Sequence, residues 1–287
     1  MGVVEKTEIE LPQTDLLMTL ILGAKCVDGV ALIGDSKFTF TDVHGSHYVY
    51  GDKIVRELNG VLTGFSGDLG AFQVFTRTLR NYISSKRQED IKKVMAQPLH
   101  APIIGPTIDQ VMLKISQIQK EFYDKYSKNR YGVLIGISGN YFPDRNSVLY
   151  QFYSDGRCVP ILGSKTIGSG SQYASYFLKR YWHFNQTTML QFAQLCDFII
   201  RYISHKRITL DFGVGLRDER SHPQIIFIPN NTDLIGTSEG GRPKLDSLPT
   251  ESQLEEFRYN SETMINNLHE MPPPWSDNPD KSEQRRD

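Results

Sequence analysis

Apolar residues near the start of the chain come in short, nearly unbroken runs, Leu20–Ala24 and Val30–Gly34, split by the turn pair Asp28-Gly29. Runs that are apolar at successive positions predict strands covered on both faces. His47–Tyr50 and Ile54–Leu58 flank Gly51-Asp52 and predict a second hairpin, and Val61–Phe65 a further strand. The period changes near Asp68. Phe72, Phe75, Leu79, Tyr82 and Ile83 recur at three- and four-residue steps, the stripe of a helix resting on a core. Ser84 to Pro106, polar and carrying Pro98, Pro102 and Pro106, reads as a link. Ile108, Met112, Ile115, Ile118 and Phe122 then mark a second helix.

Strands are expected again over Tyr131–Ile137 and Val148–Tyr153, joined by a loop holding Pro143–Asn146. Helices follow over Tyr173–Trp182 and Thr188–His205, the second apolar nearly all round and therefore buried. The last strands are expected over Thr209–Leu216 and Ile225–Ile228. Blocks of strands alternating with pairs of helices predict an α+β fold, a four-layer αββα sandwich of two antiparallel sheets between helix pairs. Residues 1–18 read as a leader or propeptide-like extension and 19–230 as the folded domain. Residues 231–287 read as an acidic, proline-containing tail, with 12 acidic against 6 basic side chains, the segment Met271–Trp275 and one amphipathic helix over Leu254–Leu268.

Composition narrows the class. The 287 residues carry 32 basic and 33 acidic side chains, so a net charge of −1 gives no reason to expect a nucleic-acid or membrane-surface partner. Cys26, Cys158 and Cys196 form no CxxC and are expected as small buried hydrophobes in a reducing compartment. The apolar run Leu16–Ala24 is about half the ~18 residues of a membrane span. It lacks a basic leader, so a cytoplasmic protein is the simplest expectation.

The candidate chemistry centres on Thr19. A threonine whose nitrogen is free joins a nucleophilic hydroxyl to an α-amine of unperturbed pKa ~7.7–8.0, which can accept the hydroxyl's proton. Asp35 lies one strand and a turn downstream, and Lys53 follows. Taken alone, Thr19 is an ordinary β-branched residue at a strand start, and Asp35 with Lys53 an ordinary ion pair. Asp35, however, ends a nearly apolar run, which favours burial with a partner. The seven histidines show no paired ligand spacing, so no metal or other cofactor is expected. No GxSxG elbow supports a Ser-His-Asp site.

Thr19 with Gly23, Asp28-Gly29, Asp35-Ser-Lys37, Lys53-Ile54, Thr63-Gly-Phe-Ser-Gly-Asp68 and Gly168-Ser-Gly-Ser171 occur in that order. Over about Thr19–Ile228 the chain resembles β-type subunits of the 20S proteasome, within the N-terminal-nucleophile hydrolases. The resemblance implies the fold expected above and a threonine-type endopeptidase acting on unfolded polypeptides. Thr19 would be the nucleophile and its α-amine the general base. Lys53 would lower the hydroxyl's pKa, Asp35 would hold Lys53, and Ser169 would support the amine. The Gly64 amide would form the oxyanion hole. Lys37, Phe38, Thr39 and Phe65, with Ile54, would line a mainly apolar substrate pocket. Implied partners are α-type and other β-type subunits in stacked rings, fed indirectly by an ATP-driven unfoldase.

The chain departs from that pattern in spacing, Asp35 to Lys53 being two residues longer and Lys53 to Gly64 shorter, and at two further places. Ser204–Asp211 lacks the Asp and Ser that often brace the amine, and Met18 stands where self-processing members have glycine. Met18-Thr19 is also what a start codon followed by a small residue would encode, so translation from Met18 and methionine removal would expose Thr19 without self-cleavage. Two alternatives accompany the protease reading: a catalytically silent structural subunit whose Thr19 stays internal, and a self-assembled peptidase without α-type partners.

Overall fold

The apolar runs that open the domain pair as antiparallel strands, β1 (Ile21–Cys26) and β2 (Gly29–Gly34). The structure is a computed structural model that describes residues 19–42, 45–58, 60–67, 69–95, 108–125, 132–139, 146–153, 155–183, 186–205, 214, 216–217, 221–230 and 249–267. Asp28 fixes the turn between these strands to a distant element: its Oδ1 accepts the Met189 N–H at 2.8 Å. β10 (Ser164–Ile167) joins β1 and β11 (Gln224–Pro229) joins β2, giving a four-stranded antiparallel sheet in the order β10-β1-β2-β11.

A second antiparallel sheet runs β5 (Ile54–Leu58), β6 (Val61–Ser66), β7 (Gly132–Ile137), β8 (Val148–Phe152), β9 (Cys158–Ile161). β3 (Lys37–Asp42) and β4 (Gly45–Tyr50) pair only with each other. The hairpin expected around Gly51-Asp52 is therefore corrected. His47–Tyr50 pairs back onto β3, while Ile54–Leu58 pairs forward onto β6. Gly51 N–H donates to Ser36 O at 3.0 Å, so the chain turns there from one sheet to the other.

Five helices are seen among the described residues: α1 (Leu69–Met95), α2 (Ile108–Lys125), α3 (Ser171–Tyr181), α4 (Met189–His205) and α5 (Glu251–Asn267). α1 runs on through Ser84 to Met95, a stretch expected as a link; Lys86 pairs with Glu89 at 2.8 Å one turn on. Its described side chains from Ser84 on are all polar, so periodicity could not see the continuation. The helix expected over Leu254–Leu268 is α5, docked on α4 with Phe257 and Ile265 buried.

Apolar side chains form three clusters. Leu20, Leu22, Ile33 and Phe227 meet α3, α4 and α5. Val61, Phe65, Val133 and Phe152 meet α1 and α2. Ile21, Val30 and Leu32 of the first sheet meet Ile54, Leu62, Leu134 and Leu149 of the second. The fold is thus mixed α and β with antiparallel sheets. β9 and β10, which the pattern of apolar residues did not announce, are short and partly exposed. Cys26 and Cys196 are buried as expected, but Cys158 on β9 is exposed. Among the described residues no helix is long and apolar enough to cross a membrane. Residues 1–18, the segment Met271–Trp275 and nearly all of the strand expected over Thr209–Leu216 lie outside the described residues.

Candidate active site

Thr19 lies two residues before the start of β1 and is 1% exposed. The β1–β2 ladder continues past its last strand pair. Asp35 N–H donates to Leu20 O at 3.1 Å, and Leu20 N–H donates back to the Asp35 side chain, Oδ1, at 2.8 Å. That same Oδ1 accepts Lys53 Nζ at 2.7 Å, while Oδ2 accepts the Lys37 N–H at 3.2 Å. Lys53 Nζ also donates to Lys37 O. One carboxylate thus ties the residue after Thr19, the turn into β3 and the lysine that precedes β5.

Asp35 and Lys53 are both wholly buried. Burial pulls the Lys53 ammonium below the ordinary lysine pKa; the Asp35 charge and hydrogen bond oppose that pull, and the Lys37 charge adds to it. Lys37, half-buried, is also lowered, chiefly by desolvation. The Phe38 ring lies 4.8 Å from Lys53 Nζ, where its π face attracts the cation. An ammonium carries three protons. Two of those on Lys53 go to Asp35 and Lys37 O, and the third has no acceptor among the described residues.

On the other side of β1, Leu22 pairs with Thr166 and Ile21 with Ile167; the chain then turns over Gly168–Ser171, the Ser171 N–H donating to Gly168 O at 3.1 Å. Gly168 has φ +99°, and a Cβ there would stand 1.8 Å from Thr19 O. Only glycine fits, on both counts. Thr166 Oγ1 donates to Ser171 O at 3.1 Å and shares a 2.8 Å bond with Ser175 Oγ. The turn Gly168–Ser171 is thereby fixed to the start of α3.

Two expected roles are corrected. Gly64 lies inside β6, in register with Ile54 on one side and Leu134 on the other. Phe65 N–H donates toward β5, to Lys53 O at 3.2 Å, so the alternating Gly64 N–H points into the β6–β7 ladder. It is not free to receive an oxyanion. Phe65, expected in the substrate pocket, is buried instead beneath α1, its ring stacked on Phe72 at 5.2 Å. Phe38 is buried beside Lys53, and Thr39 pairs with Tyr48 on the β3–β4 ribbon.

Sequence reasoning passed over two residues here. Gly67 follows the last ladder pair, Ser66 with Gly132, and has φ +130° at the junction with α1. A Cβ on Gly132 would meet Ser66 Oγ at 3.2 Å and Ile167 Cβ at 3.3 Å, so this end of β6 lies against the strand that leads to Gly168. Gly67 sat in the same Thr63–Asp68 motif, and its place beyond the strand was the usable signal. Gln224, on β11, hydrogen-bonds the backbone of Lys53 and Ile54. No local pattern could link it to partners about 170 positions earlier.

Other features stand apart from Thr19. Two clefts, of about 170 and 360 Å³, border α4 near Leu195. His222, Glu251 and Glu255 bring three potential ligand atoms within 4.8 Å of one another, but Arg258 already binds Glu255 and Arg201 approaches His222 Nδ1 at 3.4 Å, so cationic neighbours oppose a metal there. No protein-family model matches the chain, and no curated protein does.

Proposed function

We propose that this chain is a β-type proteasome-like subunit, a threonine N-terminal-nucleophile endopeptidase of the four-layer αββα type. The observation that carries this reading is the Asp35 Oδ1 atom, which receives both Lys53 Nζ and the amide of the residue after Thr19 in a fully buried setting. A surface ion pair has no need of that backbone link. The three stacked apolar clusters support the layered fold.

With its nitrogen freed, Thr19 passes its hydroxyl proton to the α-amine as Oγ bonds to a peptide carbonyl carbon. The uncommitted Lys53 proton stabilises the developing alkoxide. The negative charge moves to the carbonyl oxygen, for which Gly67 and the amides opening α1 are better donors than Gly64. Collapse breaks the C–N bond, the ammonium returns its proton to the leaving amine, and a Thr19 ester remains. Water, deprotonated by the same amine, then releases the acid and restores the hydroxyl. The substrates are unfolded polypeptides, and the setting is a cytoplasmic ring assembly with α-type and other β-type subunits supplied by an ATP-driven unfoldase.

A second reading, a catalytically silent subunit, is favoured by the near-complete burial of Thr19 and by Met18 before it in the chain, which holds its nitrogen as an amide. An epoxyketone bonds to a hydroxyl and a free amine of one residue. A Thr19 adduct in intact-mass measurement of the native assembly, absent in Thr19→Ala, supports the protease. A native chain that still carries residues 1–18 and takes no label leaves only the architectural role.

A further inference from the structure

We propose that Gln224 is a positioning residue that sets the stance of Lys53 by serving as a one-residue strand across the gap between the two sheets; the catalytic half of this inference rests on the reading of Thr19 and Lys53 above. Among the described residues, β11 ends the first sheet and β5 ends the second. An edge strand presents backbone donors and acceptors on its open side, and buried ones need partners. Gln224 Oε1 accepts the Lys53 N–H at 2.9 Å and the Ile54 N–H at 2.8 Å, and its Nε2 donates to Ile54 O at 2.7 Å. Only a side-chain amide both accepts and donates in this way.

The row that carries Gln224 explains its reach. Ile167, Ile21, Gly34 and Gln224 stand side by side across the first sheet. The isoleucines fill the space between the sheets. Gly34 leaves room: a Cβ there would already stand 3.5 Å from Ile54 and 3.7 Å from Lys53 Cβ. Lys53 itself precedes β5 and has one backbone bond to the second sheet, from Phe65 N–H to its carbonyl. Gln224 holds the other side of that residue. Without it, the lysine's backbone is tethered at the carbonyl alone while Asp35 still grips Nζ, and the ammonium's third proton loses its aim.

The test uses the full assembly with wild-type, Gln224→Leu and Gln224→Glu chains, a fluorogenic peptide, and amide hydrogen exchange. For Gln224→Leu we expect kcat to fall about 10- to 100-fold with KM within about twofold, the scale on which misplacing a catalytic group acts. Exchange of the Ile54 amide should quicken more than about tenfold while β6 and β7 amides keep their protection. Gln224→Glu retains both acceptor bonds and should restore kcat to within about fivefold of wild type. An unchanged kcat, a KM effect of equal size, or exchange that quickens evenly along the chain overturns the proposal. If Gln224→Leu does not fold, Gln224→Asn, one methylene too short to reach, replaces it with the same expectations. Wild-type protein without Thr19-dependent turnover defeats the nucleophile reading alone; the Ile54 amide then decides the strand-like role, and unchanged exchange in the variant refutes it.

Discussion

Asp35 and Asp197 are both fully buried carboxylates, and each is held by a buried cation, Lys53 at 2.7 Å and Arg201 at 2.8 Å. Their other partners differ. Asp35 uses both oxygens, and two of its donors are backbone amides, Leu20 and Lys37, from the segments that flank Thr19 and Phe38. Asp197 receives Arg201 and Ser261 Oγ on Oδ2 alone, and its Oδ1 accepts nothing among the described residues. Arg201 continues to Ser221 O at 2.9 Å. One pair fixes chain segments around a candidate nucleophile; the other fastens α5 to α4. A buried ion pair therefore marks no chemistry by itself, because burial and charge are the same in both. What separates the two is where the carboxylate's other donors come from: backbone amides beside Thr19 and Phe38 for Asp35, and a side chain of α5 for Asp197.

The largest effect that bears on this contrast should come from Gly168→Ala. Positive φ combined with a contact of 1.8 Å predicts a loss of more than about 4 kcal/mol, or a displaced Thr19 and no turnover. Denaturant titration and peptide hydrolysis measure both. Lys53→Met and Arg201→Met come next and test the comparison head-on. Each leaves a carboxylate buried without its counter-charge and should cost about 3–5 kcal/mol. Only Lys53→Met should also lower kcat by more than about a thousandfold; Arg201→Met should leave it within about twofold in the folded fraction. If both variants silence the protein equally at full folding, the two pairs are not functionally distinct.

Glu57 sharpens the comparison from the opposite side, since its carboxylate is buried and, among the described residues, meets only the exposed Arg80 guanidinium at 3.3 Å. Desolvation pushes it up to about 7. A folded-state pKa above the unfolded one means that the native chain keeps a proton the unfolded chain has released. Stability should then fall as pH rises from about 4.5 to 7, with the full penalty above that window. Glu57→Gln is expected to be more stable than wild type by about 2–3 kcal/mol at pH 8 and by little near pH 4, read from paired melting curves. The smallest effect is Ser261→Ala, about 1–2 kcal/mol from one buried bond to a charged acceptor, with faster amide exchange confined to α5.

Much of this layout was legible in the chain. Leu20–Ala24 and Val30–Gly34 announce buried strands because both faces are apolar, and the period of Ile108 to Phe122 announces α2 directly. The hairpin misassigned at Gly51-Asp52 shows where local signals stop. A turn pair reports that the chain bends, but which sheet receives the next strand depends on contacts many positions away. Ser84–Met95 was lost for a different reason: a polar helical extension buries no regular stripe. At the site, Thr19, Asp35 and Lys53 were readable as types in sequence order. Whether Gly64 or Gly67 keeps a free amide depends on ladder parity, which only pairing partners reveal. Gln224 was invisible because its whole role lies in a crossing between sheets.

The burial of Thr19 has a consequence for timing. Asp35 and Lys53 are already paired, and Gly168 already lies against Thr19 O, while that nitrogen remains an amide, so these ties precede any cut at the bond to Met18. On the proposed function the unprocessed chain is a zymogen whose machinery is finished and whose latency resides in a single acyl group. Activation would then be a local chemical event, and its rate would be set by whatever reaches that peptide bond.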